Sequence, residues 1–201
     1  MIELLKKHKL VAVIRENTYE QAKYNIQLLI NSGVKIIEIT LTTPKAIELI
    51  KEFSNNKKDV IIGAGTVLNT TQAQDCKNNG ANFLVSPYFS NEISQYATKN
   101  KISYLPGVFT PTEAYNAFEL GNKVLKVFPS GILTSKFISD LKKPFPQIEF
   151  MPSGGVDLTN IEQWFLSGCL AVSVGSNLLN GNSEEERLVS IKKYLEIVKK
   201  W

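Results

Sequence analysis

Short apolar runs alternate with longer amphipathic segments along the whole chain. The apolar runs span 10–15, 34–40, 60–66, 82–87, 103–108, 123–129, 149–155 and 171–176, lengths that suit buried strands. A segment with helical periodicity follows each. Thr18 and Gln21, Thr110 and Glu113, and Ser183 and Glu186 have capping-box spacing. Pro44 and Pro111 each follow a threonine and predict first-turn prolines. Gly33, Gly80, Gly121 and Gly168 stand where helices must close before the next strand. Eight strand–helix units with short connections predict a parallel sheet. Eight is also the number that closes a (β/α)8 TIM barrel. At 201 residues the chain is at the small end for that fold, so the pattern predicts one domain over residues 1–201. The alternative, an open doubly wound sheet, would usually carry a glycine-rich dinucleotide turn after an early strand, and the sequence has none. The residues before Leu10 are expected to form a short N-terminal helix across the barrel bottom.

Side chains alternate along a strand, so parity sorts the interior from the exterior. In the second run Ile37, Ile39 and Leu41 share an aliphatic face suited to packing on helices. Glu38 then points inward. By the same count Val11, Val13 and Arg15 share a face, as do Ala64 and Thr66, and Val124, Lys126 and Phe128. Active sites of this fold lie at the C-terminal ends of the strands, where Arg15, Glu38, Thr66 and Lys126 all fall. Lys35, Asp59, Lys123 and Glu149 sit at strand starts and drop out. A lysine in a run as apolar as 124–129 loses hydration, which disfavours the ammonium form. A neutral amine in such a pocket is a nucleophile for carbonyl carbon, the first requirement of Schiff-base chemistry. Two plainer readings stand beside this one: a lysine whose head snorkels to water, and a Glu38–Lys126 ion pair that holds strands in register. The second is weak as a stabilising device, because desolvating both charges is costly. The last two runs end in Ser153-Gly154-Gly155 and Gly175-Ser176. Loops after strands seven and eight commonly build a phosphate site in this fold, with backbone N–H groups and a hydroxyl as donors. Gly63-Ala64-Gly65-Thr66 lacks the Gly-Lys-Ser/Thr of a P-loop. For Gly63 the plain expectation is room for bulky interior neighbours.

Composition removes several classes of function. The net charge is +4 and the lysines are scattered, which argues against nucleic acid and mildly favours small anionic substrates. No apolar stretch is long enough to span a bilayer and the N-terminus lacks a signal-peptide pattern, so no membrane partner and a cytoplasmic location are expected. The two cysteines, Cys76 and Cys169, show no CxxC spacing and read as free structural thiols. A single histidine, His8, precedes the first strand. That leaves neither a His-rich zinc site nor a Ser-His-Asp triad. Chemistry must run on Lys, Glu, Arg, hydroxyls and backbone.

The motifs form an ordered set: Ile37-Glu38-Ile39-Thr40, Gly63-Ala64-Gly65-Thr66-Val67-Leu68, Val85-Ser86-Pro87, Leu105-Pro106-Gly107-Val108, Leu125-Lys126-Val127-Phe128-Pro129 and Pro152-Ser153-Gly154-Gly155-Val156. In this order the chain resembles the class I 2-keto-3-deoxy-6-phosphogluconate (KDPG) aldolases, also called 4-hydroxy-2-oxoglutarate (KHG) aldolases. The resemblance implies a Schiff-base aldolase that needs no metal and no cofactor, with Lys126 as the imine-forming lysine and Glu38 as the proton-transfer residue. It implies that Thr66 helps bind the pyruvate part and that Pro87 and Phe128 line the pocket. Gly154, Gly155 and Ser176 would hold phosphate, and Arg15 an anionic substrate group. It further implies a homotrimer and a place in carbohydrate metabolism, the Entner–Doudoroff route, with a phosphorylated keto acid and pyruvate as small-molecule partners. The chain departs from the family twice. Many members have arginine where Thr42 stands, which helps hold the pyruvyl carboxylate; here that task falls to Thr66, backbone amides and Arg15. Many also have threonine where Ser153 stands, and relatives acting on the galactonate epimer carry something else. Cleavage of 2-keto-3-deoxy-6-phosphogluconate is the expected reaction. Cleavage of 4-hydroxy-2-oxoglutarate or of the phosphogalactonate epimer is the enzymatic alternative, and a non-catalytic phosphosugar-binding barrel is the alternative of another class.

Overall fold

The computed structural model describes residues 1–56 and 59–201, and its strands fall within the apolar runs. In chain order they are β1 (Leu10–Ile14), β2 (Ile36–Thr40), β3 (Ile61–Gly65), β4 (Phe83–Val85), β5 (Ser103–Leu105), β6 (Gly107–Val108), β7 (Val124–Val127), β8 (Glu149–Pro152) and β9 (Val172–Val174). The fifth predicted strand is split at Pro106, which has no N–H to give to a ladder. The helices are α1 (Ile2–His8), α2 (Tyr19–Asn31), α3 (Ala46–Asn56), α4 (Thr70–Asn78), α5 (Asn91–Lys99), α6 (Pro111–Glu119), α7 (Lys136–Lys142), α8 (Ile161–Leu166) and α9 (Glu184–Val198), with a 3-10 turn at Ser176–Leu179 before α9. Among the described residues, no helix is long and apolar enough to cross a membrane.

All strand pairs are parallel. Six strands form a curled sheet in the order β5-β4-β3-β2-β1-β9, and three form a second sheet in the order β6-β7-β8. Two links connect them. Pro106 carries the chain from β5 into β6, and its carbonyl accepts from the Lys126 N–H at 2.8 Å. At the other seam Ser153 bridges Ser173, and the Leu170 N–H donates to the Phe150 carbonyl at 2.8 Å.

The alternation of each strand sorts two cores. Leu10, Ala12, Ile14, Ile37, Ile39, Ile62, Ala64, Leu125 and Val127 pack outward with the helices. Val11, Ile36, Phe83, Val85, Leu105, Val124 and Met151 pack inward. Leu5 of α1 joins the inner set with no exposed surface, so the N-terminal helix plugs the end of the sheet opposite the strand C-termini, as expected. Gly63 is inward too. A Cβ there would overlap the Phe83 ring, so the glycine makes room for an aromatic neighbour, as the sequence suggested.

The expected helix starts hold with three differences. The Gln21 side chain donates to Asn25 Oδ1 at 3.0 Å and does not close a capping box with Thr18. Thr18 accepts from the Gln21 N–H at 3.2 Å, and Thr110 and Glu113 form a full capping box. Ser183 caps the Glu186 N–H, but the Glu186 carboxylate accepts instead from the Asn182 N–H at 2.6 Å. Pro111 opens α6, whereas Pro44 stands two residues outside α3. Lys45 between them has φ 54°, a left-handed turn that delays the helix past the proline. Gly33, Gly80, Gly121 and Gly168 all have positive φ, the left-handed closure expected of them.

Candidate active site

Parity places Glu38 inward, and the register fixes its surroundings. Val13 of β1 and Gly63 of β3 flank it in the ladder. Its side chain is fully buried, and Gly65 leaves the space its carboxylate occupies; a Cβ at Gly65 would collide with Glu38 Oε1. Lys126 comes from the second sheet, on β7, and is 6% exposed. Its Nζ lies 3.7 Å from Glu38 Oε1 and 5.0 Å from the centre of the Phe128 ring. The head does not snorkel to bulk water.

Among the described residues neither oxygen of Glu38 has a hydrogen-bond partner. The 3.7 Å approach of the lysine is too long to serve as one. A buried carboxylate with all its lone pairs idle is expensive. As a device for register the pair is poorly built. As an acid–base group next to a nucleophilic amine it is well placed, since idle lone pairs are what a proton acceptor needs.

Above this pair the strand ends gather hydroxyls and one guanidinium. Arg15 Nη1 donates to Thr42 Oγ1 at 3.0 Å and Nη2 to Thr66 Oγ1 at 3.3 Å. Thr40 Oγ1 donates to the Ile14 carbonyl at 3.0 Å and lies 3.0 Å from Thr42 Oγ1. Thr43 Oγ1 accepts from the Glu16 N–H at 3.3 Å. The turn after β2 thus holds both sides of Arg15.

Thr66 arrives by a different route from the one parity predicts. Ala64 pairs with Ile39 and faces the helices, so Ala64 and Thr66 do not share an inward face. Continued alternation would turn Thr66 outward. Instead its φ is 58°, and this left-handed step swings the side chain across to Arg15. Such a conformation in a β-branched residue costs about 1–3 kcal/mol and is held by its surroundings.

The remaining expected residues lie at the same end of the strands. Pro87 follows β4 and is half-buried, with Gly107 so close that a Cβ would strike the Pro87 carbonyl. Ser153 is buried, and its hydroxyl donates to Ser173 Oγ at 3.3 Å. Gly154 and Gly155 are exposed with φ 80° and 93°. Three side chains that sequence reasoning missed hold this segment. Ser130 Oγ donates to the Gly154 carbonyl at 2.7 Å, Asn160 Nδ2 to the Gly155 carbonyl at 2.8 Å and Asn177 Nδ2 to the Val156 carbonyl at 3.0 Å. Fixing the carbonyls fixes the direction of the intervening amides, the condition for a backbone anion cradle. Gly175 and Ser176 open the 3-10 turn beside it.

The other candidate chemistry is inert. Cys76 and Cys169 are buried free thiols, each pushed up to about 12 by burial, so neither is a thiolate near pH 7. Among the described residues no group of three or more His, Cys, Asp or Glu is placed to hold a metal ion.

Comparison with known proteins gives a consistent pattern. The family model described as KDPG and KHG aldolase matches residues 1–194. The chain is 32% identical to the 2-dehydro-3-deoxy-phosphogluconate aldolase of Treponema pallidum, over 82% of this chain and 79% of that protein. It is also 32% identical to the 2-dehydro-3-deoxy-6-phosphogalactonate aldolase of Escherichia coli, over 94% and 96%. The KDPG aldolase of Legionella pneumophila, solved with pyruvate captured as a covalent carbinolamine, superposes with a TM-score of 0.84 at 27% identity, covering 96% of this chain and 95% of that one.

The strain at Thr66 is testable apart from any chemistry. Thr66→Gly removes the side chain but accepts φ 58° freely. Stability in urea should hold or rise by about 1 kcal/mol. A loss above about 2 kcal/mol would show that Thr66 anchors the fold instead.

Proposed function

The chain belongs to the KDPG and KHG aldolase family, and on that premise we propose that it cleaves 2-keto-3-deoxy-6-phosphogluconate to pyruvate and glyceraldehyde 3-phosphate through an imine on Lys126. The observation that carries this reading is the buried lysine 3.7 Å from a carboxylate whose oxygens are otherwise idle. The wider frame is one closed (β/α)8 barrel over residues 1–201. The chain link at Pro106 and the Ser153–Ser173 bridge support it, since they join the two sheets at both seams.

In this reading the free amine of Lys126 attacks the C2 ketone. Loss of water gives an iminium, the electron sink for the next step. Glu38 takes the proton of the C4 hydroxyl as the C3–C4 bond breaks, and the bonding pair moves into the iminium to give an enamine. Glyceraldehyde 3-phosphate leaves. Glu38, now protonated, returns the proton to C3, and water hydrolyses the imine to pyruvate and free Lys126. One carboxylate serves both transfers because they occur in sequence. Phe128 and Pro87 wall the pocket, and Arg15 and Thr66 bind the acid. Gly154, Gly155, Gly175 and Ser176 hold the phosphate. No metal or cofactor enters any step.

Ser153, buried beside the phosphate loop, supports the gluconate epimer, because its hydroxyl can read a substrate hydroxyl as threonine would. The phosphogalactonate epimer is the second reading, favoured by the equal identity to the E. coli relative. The family resemblance supports assembly as a homotrimer, and the exposed Leu68, Tyr88 and Phe109 on the loops after β3, β4 and β6 offer apolar surface for it.

Two measurements test the reading. Glu38→Gln keeps the shape but cannot take a proton, so kcat should fall about 10²–10⁴-fold; activity within a few-fold of wild type would assign Glu38 to structure. The phosphorylated acid should greatly exceed its unphosphorylated analogue in kcat/KM, because binding energy remote from the breaking bond also lowers the barrier. Ser176→Asp, an exposed change, should erase that advantage by repelling the phosphate. Equal kcat/KM for both compounds in the wild type would move the substrate class to 4-hydroxy-2-oxoglutarate.

A further inference from the structure

The end of the sheet opposite the candidate site holds a cavity of its own. It lies between α1, the turn that follows α5 and the first residues of β5 and β7, with a volume of about 420 Å³. That is room for a small molecule. Its inner wall is apolar. Leu105 and Val124 belong to the inward core and are almost fully buried, and Ile2 of α1 packs against the same set. Ile102 adds a half-buried side chain from the turn between α5 and β5.

The charged lining is mainly basic. Lys101 and Lys123 are exposed at the cavity edge, and so is Glu3. Glu3 is paired with Lys6 on its own helix at 3.2 Å. Among the described residues neither Lys101 nor Lys123 has a carboxylate within ion-pair distance. Two uncompensated ammonium groups beside an apolar hollow complement a ligand with an anionic head and an apolar tail. Lys101 adds an independent sign. It is the second residue after α5, its N–H donates to the Thr98 carbonyl at 3.2 Å, and its φ is 53°. The second residue after α2, α4, α6 and α8 is glycine in each case: Gly33, Gly80, Gly121 and Gly168. Glycine adopts this conformation freely and lysine does not. The chain keeps a cation at the cavity edge against its own backbone preference.

We propose that this cavity binds an aliphatic monocarboxylate, with its tail against Ile2, Leu105 and Val124 and its carboxylate on Lys101 and Lys123. The site lies at the starts of the strands, away from the mouth where Arg15, Thr42 and Thr66 gather, and it does not depend on the aldolase reading. A ligand bound there ties α1 to the starts of β5 and β7. It therefore stabilises the folded chain in proportion to its occupancy.

Calorimetric titration of the full chain with octanoate tests the proposal. Wild type should bind one octanoate per chain. Hexanoate should bind about 10-fold more weakly, because two fewer CH2 groups are buried. Octylammonium, with the same tail and the opposite charge, should show no saturable binding. Lys101→Gly combined with Lys123→Gln should weaken octanoate about 10-fold. Glycine relaxes the turn at 101, so this double variant should melt cooperatively and at no lower temperature than wild type. Arg15→Met, at the other end of the strands, should bind octanoate as wild type does. The proposal is overturned if millimolar octanoate does not bind, if hexanoate binds equally well, or if the double variant keeps wild-type affinity. Loss of binding in Arg15→Met with retention in the double variant would overturn it too, by moving the carboxylate to the candidate active site.

Discussion

A carboxylate and an amine, both buried and 3.7 Å apart, set the terms for the rest of the molecule. Two polar groups taken out of water gain little from each other unless their other hydrogen-bonding capacity is met. For Glu38 it is not met. The fold carries that cost and shapes itself around it. Gly65 gives up a side chain so that the carboxylate fits, and Gly63 gives up another so that Phe83 can fill the interior alongside. Leu5 packs into the interior at the far end, opposite the strand C-termini.

Around that pair the site is divided by side. Arg15, Thr42 and Thr66 occupy the ends of β1, β2 and β3. The glycine segments occupy the ends of β8 and β9, with Ser130, Asn160 and Asn177 holding their carbonyls. In the proposed reading, a substrate with an acid at one end and a phosphate at the other would span this division, with its reacting carbons over Lys126 and Glu38. Local strain at Thr66 and the idle oxygens of Glu38 fall at the candidate site. That is the usual exchange of stability for function.

The frame of the fold and the central pair were legible in the sequence because a charge in a strand-length apolar run has few innocent explanations. Period-two alternation assigned Glu38 and Lys126 to the interior, and the structure puts both there. The same rule misled at Thr66, because alternation holds only while the backbone stays extended. A left-handed residue at the strand end reverses the face, and no local signal in Gly65-Thr66-Val67 announces it. Pro44 misled for a related reason, since Lys45 inserts a left-handed turn between the proline and its helix. Thr42 was visible only as a missing charge. Its contact with Arg15 spans 27 positions, and no pattern within one element encodes it. The Ser153–Ser173 contact and the donors on the glycine loop are invisible for the same reason.

The central claim is that Lys126 is the nucleophile, and borohydride reduction in the presence of pyruvate tests it most directly. Intact mass should show one reduced pyruvyl group per chain, and peptide mapping should place it on Lys126. Lys126→Ala should give no adduct while keeping a cooperative unfolding transition. An adduct on Lys35 or Lys123, or none under conditions where the enzyme turns over, would contradict the account.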